Sequence, residues 1–277
     1  MQRIINYIKD YQIVGLGEAT HGQLKITLLR IKIFKILCQK YGFNVFVLEE
    51  QYSCCNLLDK YIKGTINTNL HELMSKLMII YRTKEMYNLI QFMKKYNMLH
   101  TNKLSILGVD IQHQCYKPIT NIDKYVDSLN KKFYKNKKMR DPYMFRVFDK
   151  CYRNTNKYVL YGHAGHIGCF EIYGKPSLGC LLYENYDYVS IGNTFFKGRY
   201  IGKNFESKKY EIAKINEPIE IKSGFLILSP KRYNMYFGGF SVDKNNPLKY
   251  FDKEKIDDSN FDAVIVLNNE LPLKYDF

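Results

Sequence analysis

Four short apolar runs in this sequence each stop at residues able to carry charge. "QIVGL" leads into Glu18 and His21, "NVFVLE" ends on Glu49 with Glu50 behind it, "LSILGVD" ends on Asp110, and "KYVLYG" is followed by His163 and His166. A carboxylate three residues from an imidazole can orient the ring and stabilise its protonated form, which a general base near neutral pH requires. His163 and His166 are again three apart, in a glycine-rich turn, so three of the chain's six histidines fall at these ends. His71 and His100 have no comparable company and read as surface or core residues. His113 follows Asp110 closely and is a candidate for lining a pocket.

Two chemistries use such a set. The imidazoles can move protons on and off water, or histidine and carboxylate together can hold zinc, manganese or iron. Neither H-E-x-x-H nor the zinc-deaminase signature is present. Acid–base use is therefore preferred, with no cofactor expected and a divalent metal as the alternative. There is no G-x-S-x-G elbow, and Cys169, just past His166, has no neighbour that would make it a thiolate. The set suits the activation of water and not a covalent nucleophile.

The elements that must position these residues follow from hydropathy. The four runs read as buried strands, separated by helical stretches at about 22–40, 52–62, 70–97 and within 120–155. Strand alternating with helix predicts a parallel sheet flanked by helices. In such sheets ligands bind beyond the carboxyl ends of the strands, and there the four charged ends would meet. The last hundred or so residues differ. "YDYVSIGNTF", "YEIAKI", "GFLILS" and "FDAVIVLN" are strand-like with short connections, and predict extra strands in the C-terminal third. The expectation is one α/β domain over 1–277, its sheet mainly parallel, with a small helical cap at about 114–156.

The helix after the first loop carries a second clue. Lys25, Lys32, Lys35 and Gln39 fall on one stripe, whereas Arg30 lies nearly opposite, in line with Ile26, Phe34 and Leu37. A guanidinium on an apolar stripe needs a carboxylate or several acceptors, because an unpaired buried charge is very costly. The strand-end carboxylates, or a substrate oxygen, are the expected partners.

Composition limits the remaining classes. The net charge is +15, from 42 Lys and Arg against 27 Asp and Glu, which raises nucleic-acid binding as a question. One dense basic run, "KKFYKNKKMR" at 131–140, has aromatics interleaved and is a candidate contact for anions. No nucleic-acid signature accompanies it, so no specific nucleic-acid partner is expected. No apolar run reaches the roughly 18 residues of a membrane span, and the first residues lack a signal peptide's apolar core. Seven cysteines without a C-x-x-C pair predict reduced core residues and a cytoplasmic protein.

Taken in order, "GLGEATHG" with Arg30 nine residues beyond His21, then "GFNVFVLEE", "GVDIQ", "YGHAGHIG", "YVSIGNTFFKGRY" and "FDAVIVLNNELP" resemble the erythromycin esterase family. The resemblance implies a hydrolase in which an imidazole activates water against a carboxylic ester or lactone, without an obligatory metal. It implies catalytic roles for His21 as base, Glu18 beside it, Arg30, Glu49 and His163, with His166, Asp110 and Gln112 binding substrate. The implied partner is a small-molecule ester. Ala164 stands where the family pattern has Asn, and "QLKI" follows the first block in place of a more polar sequence. The chain is also shorter than typical members, in the segment that covers the substrate. A metal-dependent hydrolase using the same cluster, or a catalytically degenerate ligand-binding relative, are the alternatives.

Overall fold

A computed structural model describes residues 1–112, 115–195, 197–204, 210–216, 226–228, 237–238, 251–252, 260–267 and 270–274. His113 and parts of the predicted strand "GFLILS" lie outside them. Helix α1 (Gln2–Ile8) precedes strand β1 (Ile13–Glu18), and α2 (Leu24–Tyr41) leads to β2 (Val45–Gln51). Then come α3 (Tyr52–Ile62), α4 (Leu70–Met74), a 3-10 turn at Ile79–Tyr81, α5 (Lys84–Leu99) and β3 (Ser105–Asp110). The predicted 70–97 helix is thus interrupted, and Thr83 caps α5 by accepting the Met86 N–H. Helices α6 (Asn121–Lys135) and α7 (Arg140–Cys151), joined by a 3-10 turn at Lys137–Met139, carry the chain to β4 (Tyr158–His163).

After β4 a four-residue helix α8 (Ala164–Ile167), a small hairpin β5 (Glu171–Ile172) and β6 (Lys175–Pro176), and α9 (Leu178–Asn185) lead to β7 (Tyr188–Phe195). The C-terminal third adds β8 (Lys197–Lys203), β9 (Tyr210–Asn216), β10 (Leu226–Leu228), β11 (Phe237–Gly238), β12 (Phe251–Asp252) and β13 (Ala263–Leu267). The main sheet runs β10-β13-β7-β1-β4-β2-β3, parallel throughout except for the antiparallel edge strand β10. The expected α/β class, a mainly parallel sheet between helices with added C-terminal strands, is the one observed.

Alternation along the strands explains the two helical layers. Val14, Leu16, Phe46, Leu48, Val159 and Ile191 face one core, built with α1, α2, α3 and α5. Ile13, Val45, Val47, Leu160 and Val264 face the other, with Met144 and Phe148 of α7 and Leu178 and Leu182 of α9. The 121–151 segment is therefore layered: α7 lies on the sheet, and α6 packs on α7 through Val126, Leu129 and Phe133. A separate cluster of Ile26, Phe195, Tyr200 and Ala213 seats the β8–β9 hairpin against the start of α2.

Cysteine usage departs from the sequence expectation. Cys54 is joined to Cys115 and Cys169 to Cys180, while Cys38, Cys55 and Cys151 are free. Adjacent helical residues point about 100° apart. Cys55 thus enters the core while Cys54 meets the segment after β3, a contact that spacing does not reveal. Among the described residues no helix is long and apolar enough to cross a membrane.

Candidate active site

Register brings the charged strand ends to one level. Glu18 lies opposite His163 of β4 on one side and Asn193 of β7 on the other. Strand β2 changes register against β3 between Leu48 and Gln51, so its consecutive acids serve different places. Glu49 turns to the site, whereas Glu50 accepts the Gln51 and Met78 N–H groups and fixes the chain before the 3-10 turn. Burial pushes the Glu50 carboxyl up to about 8.

The loop after β1 is built around Glu18. Its Oε1 lies 2.7 Å from His21 Nδ1, and its Oε2 lies 3.1 Å from Arg30 Nη2. Arg30 is fully buried, as its stripe predicted, and also donates to the carbonyls of Leu16 and Gly162 at 3.2 and 3.0 Å. Its guanidinium carbon sits 3.3 Å from the centre of the Tyr161 ring, a cation–π contact in a dry setting. Burial by itself would raise the Glu18 carboxyl, but Arg30 and then the hydrogen bond with His21 outweigh it and hold the group below the usual carboxylate range. Glu18 is therefore a carboxylate. With His21 Nδ1–H donating to it, the imidazole lone pair is on Nε2.

A second polar cluster stands across the site. Arg140, the last residue of the basic run, donates through Nη2 to Glu49 Oε1 and Asp110 Oδ2, both at 2.9 Å, and through Nε to Asp110 Oδ1 at 3.2 Å. Asp110 also accepts from Gln112 Nε2 at 2.7 Å. Glu49 Oε2 accepts the His163 backbone N–H at 2.7 Å. His166 Nδ1 lies 2.8 Å from Asp141, which also accepts the Leu178 N–H. His166 Nε2 lies 3.3 Å from Glu49 Oε1 and 3.0 Å from Arg140 Nη1. As an imidazolium it donates to Glu49; as a neutral ring it accepts from Arg140. Burial disfavours the charge, yet Asp141 and Glu49 outweigh both burial and Arg140 and push His166 up to about 10, so the imidazolium is the form we assign. Glu49 is held well below the carboxylate range by His166 and Arg140 against burial.

His163 lies between the two clusters, its ring 5.5 Å from that of His21 and 6.2 Å from that of His166. Its Nδ1 accepts the Gly165 N–H and its Nε2 faces the Ala19 carbonyl at 3.3 Å, which describes a neutral ring with the proton on Nε2. His21, Glu49, Gln112, Arg140, His163 and His166 line a cleft of about 440 Å³, closed on one side by Met78, Ile79 and Ile80. Among the described residues no three His, Cys, Asp or Glu side chains are grouped as metal ligands. Of the eight residues singled out in the sequence, five line the cleft directly. Glu18, Arg30 and Asp110 stand behind them. Sequence reasoning missed Arg140, Asp141 and the Met78–Ile80 wall. Arg140 ends a run of lysines and Asp141 opens a helix, so each had an ordinary local explanation.

Residues 38–136 match the family model described as erythromycin esterase. The chain is also 26% identical over 104 residues to the erythromycin esterase type II of Escherichia coli, a stretch covering 38% of this chain and 24% of that protein. The resemblance to the erythromycin esterase family is borne out. The matched segment holds Glu49, Asp110 and Gln112, begins after Glu18, His21 and Arg30, and ends before Arg140. The solved structure of a Bacillus cereus protein superposes with a TM-score of 0.76 at 19% identity, covering 100% of this chain and 93% of that one. A succinoglycan biosynthesis protein gives 0.76 at 17% identity, covering 99% and 92%. An erythromycin esterase variant in its open conformation gives 0.67 at 13% identity, covering 100% and 95%. At these identities the superpositions establish the fold common to erythromycin esterases and this chain.

Proposed function

We propose that this chain is a hydrolase in which His21 activates water against a carboxylic ester or lactone. The observation that carries it is His21, held 2.7 Å from Glu18 behind it and lining one cleft with His163, His166 and Arg140. His21 Nε2 takes a proton from water as the water oxygen bonds to the carbonyl carbon. Glu18, kept ionised by Arg30, stabilises the imidazolium that results. The oxyanion forms beside Arg140, whose Nη1 supplies the N–H groups while Asp110 and Glu49 hold the guanidinium in place before reaction. The His166 imidazolium, held by Asp141 and Glu49, adds its positive charge. Collapse breaks the ester C–O bond, and His21 returns its proton to the leaving alkoxide. The family resemblance supports the reaction class.

The test is turnover of a broad ester and lactone panel by the wild-type protein and by His21→Ala. Loss of general-base catalysis is expected to lower kcat/KM by about 10²–10⁴-fold with the circular-dichroism spectrum unchanged. Absence of turnover by the wild type on the whole panel would overturn the proposal. Activity lost to a chelator and restored by one divalent ion would favour the metal-dependent alternative.

A further inference from the structure

The five lysines of the basic run stand beside the cleft. Tyr134 donates its hydroxyl to the Gln112 carbonyl and Asn130 donates to that of Ile111, which fastens the end of α6 to the cleft-lining segment. The 3-10 turn that follows runs directly into Arg140, whose side chain is 24% exposed at the cleft. Lys131, Lys132, Lys135, Lys137 and Lys138 are all exposed and lie within a helical turn of Tyr134 or Arg140. Lys131 pairs with Asp127 at 2.7 Å. Lys132, Lys135, Lys137 and Lys138 have no carboxylate partner among the described residues. In and behind the cleft wall, by contrast, Glu49 and Asp110 meet Arg140, and Glu18 meets Arg30. The facing wall, Met78 to Ile80, is apolar and half-buried.

Resting on the hydrolase function proposed above, we infer that the substrate is an anionic ester. Its apolar part packs on Met78–Ile80 and its negatively charged group, a carboxylate, sulfonate or phosphate, lies toward Lys132–Lys138. Unpaired cations at the rim of a low-dielectric cleft focus their field along it and raise the capture rate of an anion. The effect acts within about 10 Å at 0.1 M salt and weakens as salt rises.

The experiment uses phenyl butyrate and 4-butyryloxybenzenesulfonate, which share an acyl group and differ in a ring sulfonate. The variant is K132E/K135E/K137E/K138E, at positions outside the catalytic set. Steering of this kind predicts that charge reversal lowers kcat/KM for the sulfonated ester by about 10-fold or more at low salt and leaves phenyl butyrate within about 2-fold. The wild-type rate on the sulfonated ester should fall steeply between about 20 and 300 mM salt. Equal effects of the variant on both esters, or no salt dependence, would overturn the inference. Should neither ester turn over, charge preference is decided by calorimetry with the uncleaved amides, butyranilide and 4-butyramidobenzenesulfonate, while the hydrolase function stands or falls on the broad panel. Tighter binding of the sulfonated amide, lost in the variant, supports the inference; equal or no binding of the two refutes it.

Discussion

Arg140 and Asp141 are neighbours in sequence that hold opposite charges in place. Arg140 gathers Glu49 and Asp110 from two different strands, and Asp141 grips His166 and the first N–H of α9. Removing Asp141 should therefore be visible as linkage. His166 titrates at about 10 in the folded chain against an ordinary 6.5, with burial opposing and Asp141 and Glu49 driving the rise. A raised histidine contributes stability that is complete below 6.5 and is lost as pH rises through about 10. Asp141→Asn removes the strongest raising partner, so its stability deficit relative to wild type should be largest near pH 6 and shrink toward pH 10. Urea unfolding at a series of pH values checks this, and a deficit independent of pH would rule it out. Arg30 belongs to the same scale. Its burial was legible from the apolar stripe of α2, because position on a helix is set by a fixed angular period.

Among the elements, the loop between β1 and α2 is the most constrained. Gly22 has φ of +91°, and a side chain there would meet the carbonyl of Ile201 on β8. That carbonyl belongs to the hairpin seated on α2, so the turn carrying His21 is shaped by residues far along the chain. Gly22→Ala should destabilise the protein by about 1–3 kcal/mol and displace His21, with activity falling more than stability accounts for. Denaturant midpoints measured beside kcat/KM separate the two effects. The strands were legible because each is a short apolar run with a charged end. The 70–97 helix was over-extended because Leu77 to Tyr81 continues its apolar character, while the Glu50 carboxylate that pins Met78 is remote in sequence.

At the scale of the whole molecule, the C-terminal segment closes on the first helix. Glu270 is buried and accepts the Lys25, Ile26 and Leu271 N–H groups, serving α2 as a cap from 244 residues away. The Gln23 side chain supplies no cap of its own. Burial lifts the Glu270 carboxyl to about 7 against the pull of these donors. Glu270→Ala should cost about 0.5–2 kcal/mol, as loss of a local cap does, and should lower the denaturant midpoint without changing its slope. A midpoint equal to wild type would show that the helix start is held by the hairpin alone.

The sequence by itself determined the strand and helix periods, the central sheet, the burial of Arg30 and the strand-end residues, since all of these follow from local spacing and from where ligands meet an open sheet. It also carried the family resemblance on which the hydrolase chemistry rests. Only the tertiary structure decided that Arg140 leaves a solvated basic run to clamp two carboxylates, that Asp141 rather than a strand-end acid holds His166, and that Cys54 meets Cys115. Each of these is a contact between groups distant in sequence. Hydropathy reports how a residue partitions between core and water, but not which partner compensates a charge once it is buried.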